Sequence, residues 1–179
     1  VQIAVPTRER VSAYAQLRDE VELMAGRLNG DFQTLSHRAV SYHYHTYPRA
    51  EMAAMFLAAD VMLVTALRDG MNLVAKEYVA SRFDEDGVLV LSEFAGASDE
   101  LRRAVLVNPH DITGLKAAIV GAMRMPRAER RSRMRAMRRR VAEYDVTRWS
   151  NDFLEALAAS RERATSTALP RISTCSRAA

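Results

Sequence analysis

Cysteine is almost absent from this sequence, because Cys175 is the single one among 179 residues. One cysteine excludes a disulfide within the chain and any cysteine-based metal cluster. A chain without disulfides fits a reducing compartment, so we expect a cytoplasmic location. No apolar run approaches the roughly 20 residues that a membrane helix needs, and no secretory signal is visible. These absences predict a domain that works without a membrane.

The sequence also lacks an initiator methionine and opens directly on the apolar run VQIAV. We therefore expect the chain to be a piece of a longer protein. Its length allows one domain of ordinary size. Because 49% of its residues are hydrophobic, it can bury a substantial core.

Lysine is scarce as well, with two lysines against 24 arginines, and the basic charge is concentrated. Residues 124–140 contain nine arginines and one acid, a local charge of +8, so the rest of the chain sums to −4. Such a run could form a nucleic-acid-binding helix. However, methionines rather than aromatic residues alternate with the arginines, which favours an amphipathic helix with a basic outer face. The sequence therefore does not favour nucleic acid as a partner.

Short apolar runs alternate with helical periodicity, the pattern of β–α units around a parallel sheet. The runs predict strands over 1–5, 39–44, 61–66, 88–91 and 104–107. The periodicity predicts helices over 9–28, 48–59, 72–83, 98–103, 112–123, 127–143 and 147–160. Residues 161–179 lack periodicity and predict a disordered tail after a domain of residues 1–160. The predicted fold class is α/β, a Rossmann-like parallel sheet flanked by helices.

The segment TALRDGMNLVAKEYVA, residues 65–80, is the most informative, because a predicted strand ends there and a helix begins near Asn72. Ligands of such sheets bind beyond the carboxyl ends of the strands. Gly70 permits a tight turn with close backbone approach, and free N–H groups at the helix start attract anions. Asp69 could accept hydrogen bonds from sugar hydroxyls, and Glu77 from a ribose diol. Spacing alone favours a plainer interpretation, with Asp69 capping the helix and Glu77 solvated.

Three other features are weaker candidates. The turn SEFAGASDEL, residues 92–101, repeats the strand–turn–helix layout, with Ser98 or Asp99 as a plausible helix cap. Arg8 follows the first strand and could grip a phosphate. His43 and His45 alternate along a strand, but no third ligand of suitable spacing follows, so we expect strand-surface histidines and no metal.

Several segments together carry a resemblance to a known family. RDGMNLVAKEYVA closely resembles the donor-binding motif of the trehalose-6-phosphate synthase family. The segments VQIAVPTRERVSAY, AGRLNG, VMLVTALRDG, VLVLSEFAGASDEL and VLVNPHD also fall in the family's order. The resemblance spans about residues 1–158. It implies the carboxyl-terminal, nucleotide-sugar-binding domain of a two-domain retaining glycosyltransferase of the GT-B type.

The resemblance implies a reaction and roles for individual residues. Glucose would pass from UDP-glucose or ADP-glucose to glucose 6-phosphate, giving trehalose 6-phosphate without a cofactor or metal. Asp69 would hold the donor glucose as the catalytic residue, and Glu77 would take the ribose hydroxyls. Tyr47, where the family usually has Phe, would contact the base, and Arg8 would reach the acceptor phosphate. The full donor-binding segment would comprise Asp69, Gly70, Met71, Asn72, Leu73, Val74, Ala75, Lys76 and Glu77.

The resemblance also implies a partner, the family's amino-terminal domain, to which the helix at about 147–160 crosses back. Alone, we expect the chain to bind donor weakly, not to turn over, and to leave an apolar face open around Trp149, Phe153 and Leu154. Spacing of Trp149 and Phe153 by itself predicts core packing instead.

Three alternatives stay open: a relative with another phosphorylated acceptor, a non-catalytic nucleotide-sugar-binding fragment, and nucleic-acid binding through 124–140. The sequence does not separate UDP, ADP and GDP as the nucleotide, and it leaves homo-oligomerisation open.

Overall fold

The computed structural model describes residues 1–7 and 10–166, with the backbone alone for 161–166. These residues form two compact units, the first comprising residues 1–54 and the second beginning at Met55. Each unit contains its own parallel sheet. Parallel strands connected through helices confirm the predicted α/β class.

The first unit contains β1 (Gln2–Ala4), α1 (Ser12–Phe32), β2 (Tyr42–Tyr44) and the start of α2 (Arg49–Ala58). β1 and β2 pair in parallel, with Gln2 opposite Tyr42. The sequence predicted that α1 ends near Asn29, but the helix continues to Phe32. The Asn29 side chain instead fixes the loop before β2, donating to Val40 O at 2.9 Å and accepting from Val40 N at 2.8 Å.

The second unit contains β3, β4 and β5, three parallel strands with β4 in the centre. Every residue of β4 is buried, as its continuous apolar run predicts for a strand covered on both faces. The elements in chain order are β3 (Val61–Val64), α3 (Leu73–Ser81), β4 (Val88–Ser92), α4 (Ala97–Glu100), β5 (Val105–Val107), α5 (Ile112–Arg124), α6 (Arg127–Glu143) and α7 (Val146–Ser166).

Two predictions, on the number of sheets and on the end of α7, differ from the structure. The described strands form two sheets rather than one, because apolar runs locate strands without specifying which strands become neighbours. α7 continues to Ser166, six residues beyond its predicted end, so 161–166 is helical rather than disordered. The Arg, Glu and Ala residues within 161–166 favour helix, and this segment contains no glycine or proline. The rest of the predicted tail, 167–179, lies outside the described residues.

α6 confirms the amphipathic interpretation of the arginine run. Met134 and Met137 are buried at 0% and 2% exposure, whereas every arginine of the run is exposed or half-buried. Part of the positive charge is balanced by the loop before β4. Arg127 and Arg130 pair with Asp86, and Arg131 and Arg135 pair with Glu85. The hydrogen bond from Arg135 lowers the pKa of Glu85.

α7 carries an open apolar face. Trp149 and Phe153 stack at 5.6 Å but are 43% and 54% exposed, and Leu154 and Leu157 are exposed beside them. The prediction that Trp149 and Phe153 pack in this chain's core is therefore wrong, and the predicted open face is confirmed. Within residues 1–7 and 10–166, no helix is long and apolar enough to cross a membrane.

A buried arginine joins the end of α2 to the end of α3. Arg82 is 3% exposed, and its Nη1 donates to the carbonyls of Phe56, Leu57 and Ala59 at 3.1, 2.8 and 2.7 Å. Phe56 and Leu57 lie in the last turn of α2 and Ala59 just follows it, a place where carbonyls lack the usual intrahelical donor. Tyr78 OH also donates to Ala59 O, and burial raises the pKa of Tyr78 to about 12.

Replacing Arg82 should therefore destabilise the fold. We expect Arg82→Met to lower the free energy of unfolding by about 3 kcal/mol, because the carbonyls of Phe56, Leu57 and Ala59 each lose a charged donor at a buried side chain. The loss of stability in Arg82→Lys should lie between zero and that of Arg82→Met, because an ammonium keeps the charge but not the planar arrangement of donors. The exposed Arg102, changed to Met, is the control and should cost less than about 0.5 kcal/mol. Urea unfolding followed by circular dichroism measures all three, and an Arg82→Met value near that of the control would contradict the role.

Candidate active site

The loops that follow β3 and β4 meet at the carboxyl edge of the three-stranded sheet. Asp69 N–H donates to Phe94 O at 3.2 Å, and Gly96 N–H donates to Asp69 O at 3.1 Å. Ala97 N–H donates to Met71 O at 2.6 Å. These bonds extend the parallel pairing beyond the strands, with Asp69 opposite Ala95 in an isolated bridge. The two loops therefore form one surface.

The close approach of the loops depends on Gly96. A Cβ built on Gly96 would overlap the carbonyl oxygen of Gly70. The sequence singled out Gly70 for a tight turn and close backbone approach and did not single out Gly96. Gly70 does not have a left-handed backbone, and a Cβ added there would meet nothing within 4 Å among the described residues. Gly70 thus offers an open backbone, while Gly96 permits the contact.

Asp69 and Asn72 organise the turn into α3. Asp69 Oδ1 accepts from Met71 N–H at 3.2 Å, and its Oδ2 accepts from Asn72 Nδ2 at 3.0 Å. Asn72 adopts a left-handed backbone with φ of 73° and caps α3 by accepting from Ala75 N–H at 2.9 Å. Asn72 rather than Asp69 is therefore the helix cap. Each Asp69 oxygen retains a second lone pair for a ligand hydroxyl.

The start of α3 has the features of an anion site. Leu73 and Val74 occupy its first two positions, where backbone N–H groups have no intrahelical acceptor and the helix dipole favours negative charge. Both side chains are exposed, at 60% and 42%. Glu77 is exposed one turn beyond Leu73, on the same face. The structure thus brings Asp69, the free amides and Glu77 onto one helix start.

Two members of the predicted donor-binding segment are already engaged. Ala75 is fully buried, and its N–H is taken by Asn72. Lys76 Nζ lies 2.7 Å from Glu100 Oε1, with side-chain exposures of 15% and 16%. An ammonium has three donors, so Lys76 can hold Glu100 and still reach a ligand.

Of the other two predicted contacts, only Tyr47 is described, and it belongs to the first unit. Tyr47 OH hydrogen-bonds His43 Nδ1 at 2.8 Å, and His43 Nε2 hydrogen-bonds Ser41 Oγ at 2.9 Å. The ring of His45 meets Tyr47 edge-on at 5.0 Å. Arg8 lies outside the described residues. Among the described residues, no group of three or more His, Cys, Asp or Glu side chains could hold a metal ion.

The predicted cap Ser98 does not cap α4, because the N-cap position is Gly96, without a side-chain hydrogen bond; the Ser98 Oγ donates instead to Glu93 O at 3.2 Å. The turns after β4 and β5 also contain two aromatic residues that sequence reasoning did not select. Phe94 is 42% exposed and contacts the ring of His110, which follows β5. Both aromatic residues come just after strand runs, and that position was the available signal.

Comparison with known proteins gives a consistent family. The model of Glycosyltransferase family 20 matches residues 1–159. Trehalose-6-phosphate synthase of Mycobacterium avium (strain 104) is 55% identical over 163 residues, which cover 91% of this chain and 33% of that protein. The chain therefore spans about a third of that relative's length.

Two solved structures share the fold at substantial identity. The alpha,alpha-trehalose-phosphate synthase (UDP-forming) from Burkholderia xenovorans, in complex with glucose-6-phosphate, has a TM-score of 0.82 at 47% identity, covering 86% of this chain and 34% of that one. An E. coli structure bound with UDP-2-fluoro glucose has a TM-score of 0.83 at 43% identity, covering 87% and 35%.

The two loop glycines make a matched pair for testing the site's geometry. We expect Gly96→Ala to lower the free energy of unfolding by about 1–3 kcal/mol, because the new Cβ forces the loops apart. Gly70→Ala should be nearly neutral, since its Cβ meets open space. Urea unfolding of both variants measures the difference. Equal effects of the two substitutions would show that the loops do not depend on this contact.

Proposed function

The chain belongs to glycosyltransferase family 20, and we propose that it is the carboxyl-terminal, donor-binding part of a retaining enzyme that makes trehalose 6-phosphate. In this reaction glucose passes from UDP-glucose to glucose 6-phosphate. The observation that carries the proposal is the helix start at Leu73 beside the anchored carboxylate of Asp69. The relatives support it, because one solved neighbour binds a UDP sugar and another glucose-6-phosphate.

The diphosphate of the donor would lie against the N–H groups of Leu73 and Val74. Those amides and the dipole of α3 stabilise the negative charge that grows on the diphosphate as it departs. Because the amides are fixed by the Asn72 cap, they need no rearrangement when that charge develops. In the proposed reaction, the departing phosphate acts as the base that takes the proton of the acceptor hydroxyl. It does so on the same face of the glucose from which it leaves.

Asp69 would orient the glucose. Its two oxygens are held by Met71 N–H and Asn72 Nδ2, so the carboxylate is already aimed before the sugar arrives. Holding the sugar hydroxyls in one orientation lowers the entropy cost of the transfer. Glu77, exposed on the same helix face as Leu73, would accept both ribose hydroxyls. Tyr47 and Arg8 remain the proposed contacts for the base and the acceptor phosphate.

The rest of the enzyme would supply the acceptor site. The open face of Trp149, Phe153, Leu154 and Leu157 on α7 supports a partner domain, because clusters of large apolar side chains are usually covered. A cytoplasmic location, the absence of a cofactor, and the choice of UDP over ADP belong to this proposal.

Two substitutions should separate the sugar contact from the ribose contact. Asp69→Asn should weaken UDP-glucose binding at least about tenfold and UDP binding much less, because only the glucose of the donor would contact this carboxylate, whereas its bond to the Asn72 side chain is lost with either ligand. Glu77→Gln should weaken UDP and UDP-glucose by the same factor, because both contain the ribose. Isothermal titration calorimetry with each ligand measures the four affinities.

Glu129→Gln is the matched control for that experiment. Glu129 is exposed on α6 and pairs with Arg133, away from the proposed site, so both affinities should stay at the wild-type values. Circular dichroism verifies that each variant is folded. The role of Asp69 would be refuted if its variant lost UDP and UDP-glucose affinity equally.

The 179-residue chain by itself should not turn over. Purified chain incubated with UDP-glucose and glucose 6-phosphate should release no UDP above the buffer rate, because the acceptor site is proposed to lie in the partner domain. A coupled assay for UDP measures this. Robust trehalose 6-phosphate formation by the chain alone would show that it carries a complete site.

A further inference from the structure

A groove of about 640 Å³ lies along α6, lined by five arginines and one acidic residue. None of the proposed donor-site residues lines it. We propose that this groove binds a small molecule carrying two or more phosphate or similar oxyanion groups. The inference does not rest on the proposed glycosyltransferase function.

The shape of the groove follows from two rows of residues on α6. Residues four apart lie on the same helix face. Ala128, Ser132 and Ala136 form a row of short side chains, which leaves space above the helix. The neighbouring row consists of the long side chains of Arg131, Arg135 and Arg139. The space is thus bordered by guanidinium groups rather than filled by packing.

The charge in the groove is only partly balanced. Glu85 pairs with Arg135 at 2.8 Å and with Arg131 at 3.7 Å. Arg103 and Arg139 also line the groove, and the structure records no ion-pair partner for either side chain among the described residues. A planar guanidinium binds a phosphate through two parallel hydrogen bonds. Two guanidinium groups without an ion-pair partner in one concave space therefore favour a ligand with two or more anionic groups.

The remaining arginine of the groove is held in place. The Arg140 guanidinium lies 4.4 Å from the centre of the Tyr144 ring, within the range of a cation–π contact. Glu143, at the end of α6, is the one acid that lines the groove. A side chain already restrained by an aromatic ring loses less entropy on binding a ligand.

Size and charge distribution favour a small molecule over nucleic acid. Small-molecule pockets typically have volumes of about 300–1,000 Å³, which includes this groove. Outside the groove, Arg127 and Arg130 share the single carboxylate of Asp86. Arg133, also outside it, pairs with Glu129. The groove itself gathers five arginines in one concavity, whereas a nucleic acid needs a basic track along its backbone.

Calorimetric titration of the chain with sodium tripolyphosphate tests the proposal. Saturating UDP is included, so that the helix start at Leu73 does not take the probe. We expect one binding site per chain. The double variant Arg103→Gln/Arg139→Gln should bind at least about tenfold more weakly, because two charge-assisted contacts are lost. The control Arg102→Gln/Arg124→Gln removes the same charge from exposed positions outside the groove and should change the affinity less than about twofold.

The results that would contradict the proposal can be distinguished from one another. Absence of tripolyphosphate binding would overturn the proposal, and so would an equal loss in both double variants, which would indicate general charge attraction. Mixed-sequence DNA that binds with a steep salt dependence and resists competition by tripolyphosphate would assign the surface to nucleic acid instead. Because Asp69→Asn should leave tripolyphosphate binding intact, failure of the donor-site proposal and failure of this one give different patterns.

Discussion

The backbone contact between the loops after β3 and β4 is the constraint on which the candidate site depends. Gly96 lets the second loop approach the Gly70 carbonyl, and three N–H to carbonyl bonds then join the loops. With that ladder in place, Asp69 is positioned to hold Met71 and Asn72. Asn72 in turn caps α3 and aims its free amides outward. The lack of a side chain at Gly96 therefore permits the loop geometry that positions Asp69, Met71 and Asn72.

The helix that carries the site is fixed at both ends. At its start, Asn72 supplies the cap, and at its end Arg82 bonds the final carbonyls of α2. Between them, Ala75, Tyr78 and Val79 are fully buried. The opposite face of α3 keeps Leu73 and Glu77 exposed. Burial on one face and anchors at both ends hold the free amides of the helix start in place, as electrostatic preorganisation at the proposed donor site requires.

Two exposed surfaces of this chain differ in their chemistry. The face around Trp149 on α7 is apolar and suits a protein domain, consistent with a chain that spans a third of its relatives' length. The groove on α6 is lined by arginines and suits a small polyanion. The two differ because α7 repeats apolar residues at helical spacing, whereas α6 buries Met134 and Met137 and leaves its arginines exposed or half-buried.

The sequence by itself determined the local features. Apolar runs located the strands and periodicity located the helices. Spacing around Asp69 and Asn72 predicted only a strand–turn–helix junction, and the family resemblance was needed to propose a donor site there. Tertiary structure alone decided which residue caps α3 and which glycine allows the two loops to approach each other. It also decided how the strands divide into two sheets, and that Lys76 pairs with Glu100, 24 residues away. Local pattern reports burial and propensity over a few residues, whereas these pairings depend on which distant segments pack together.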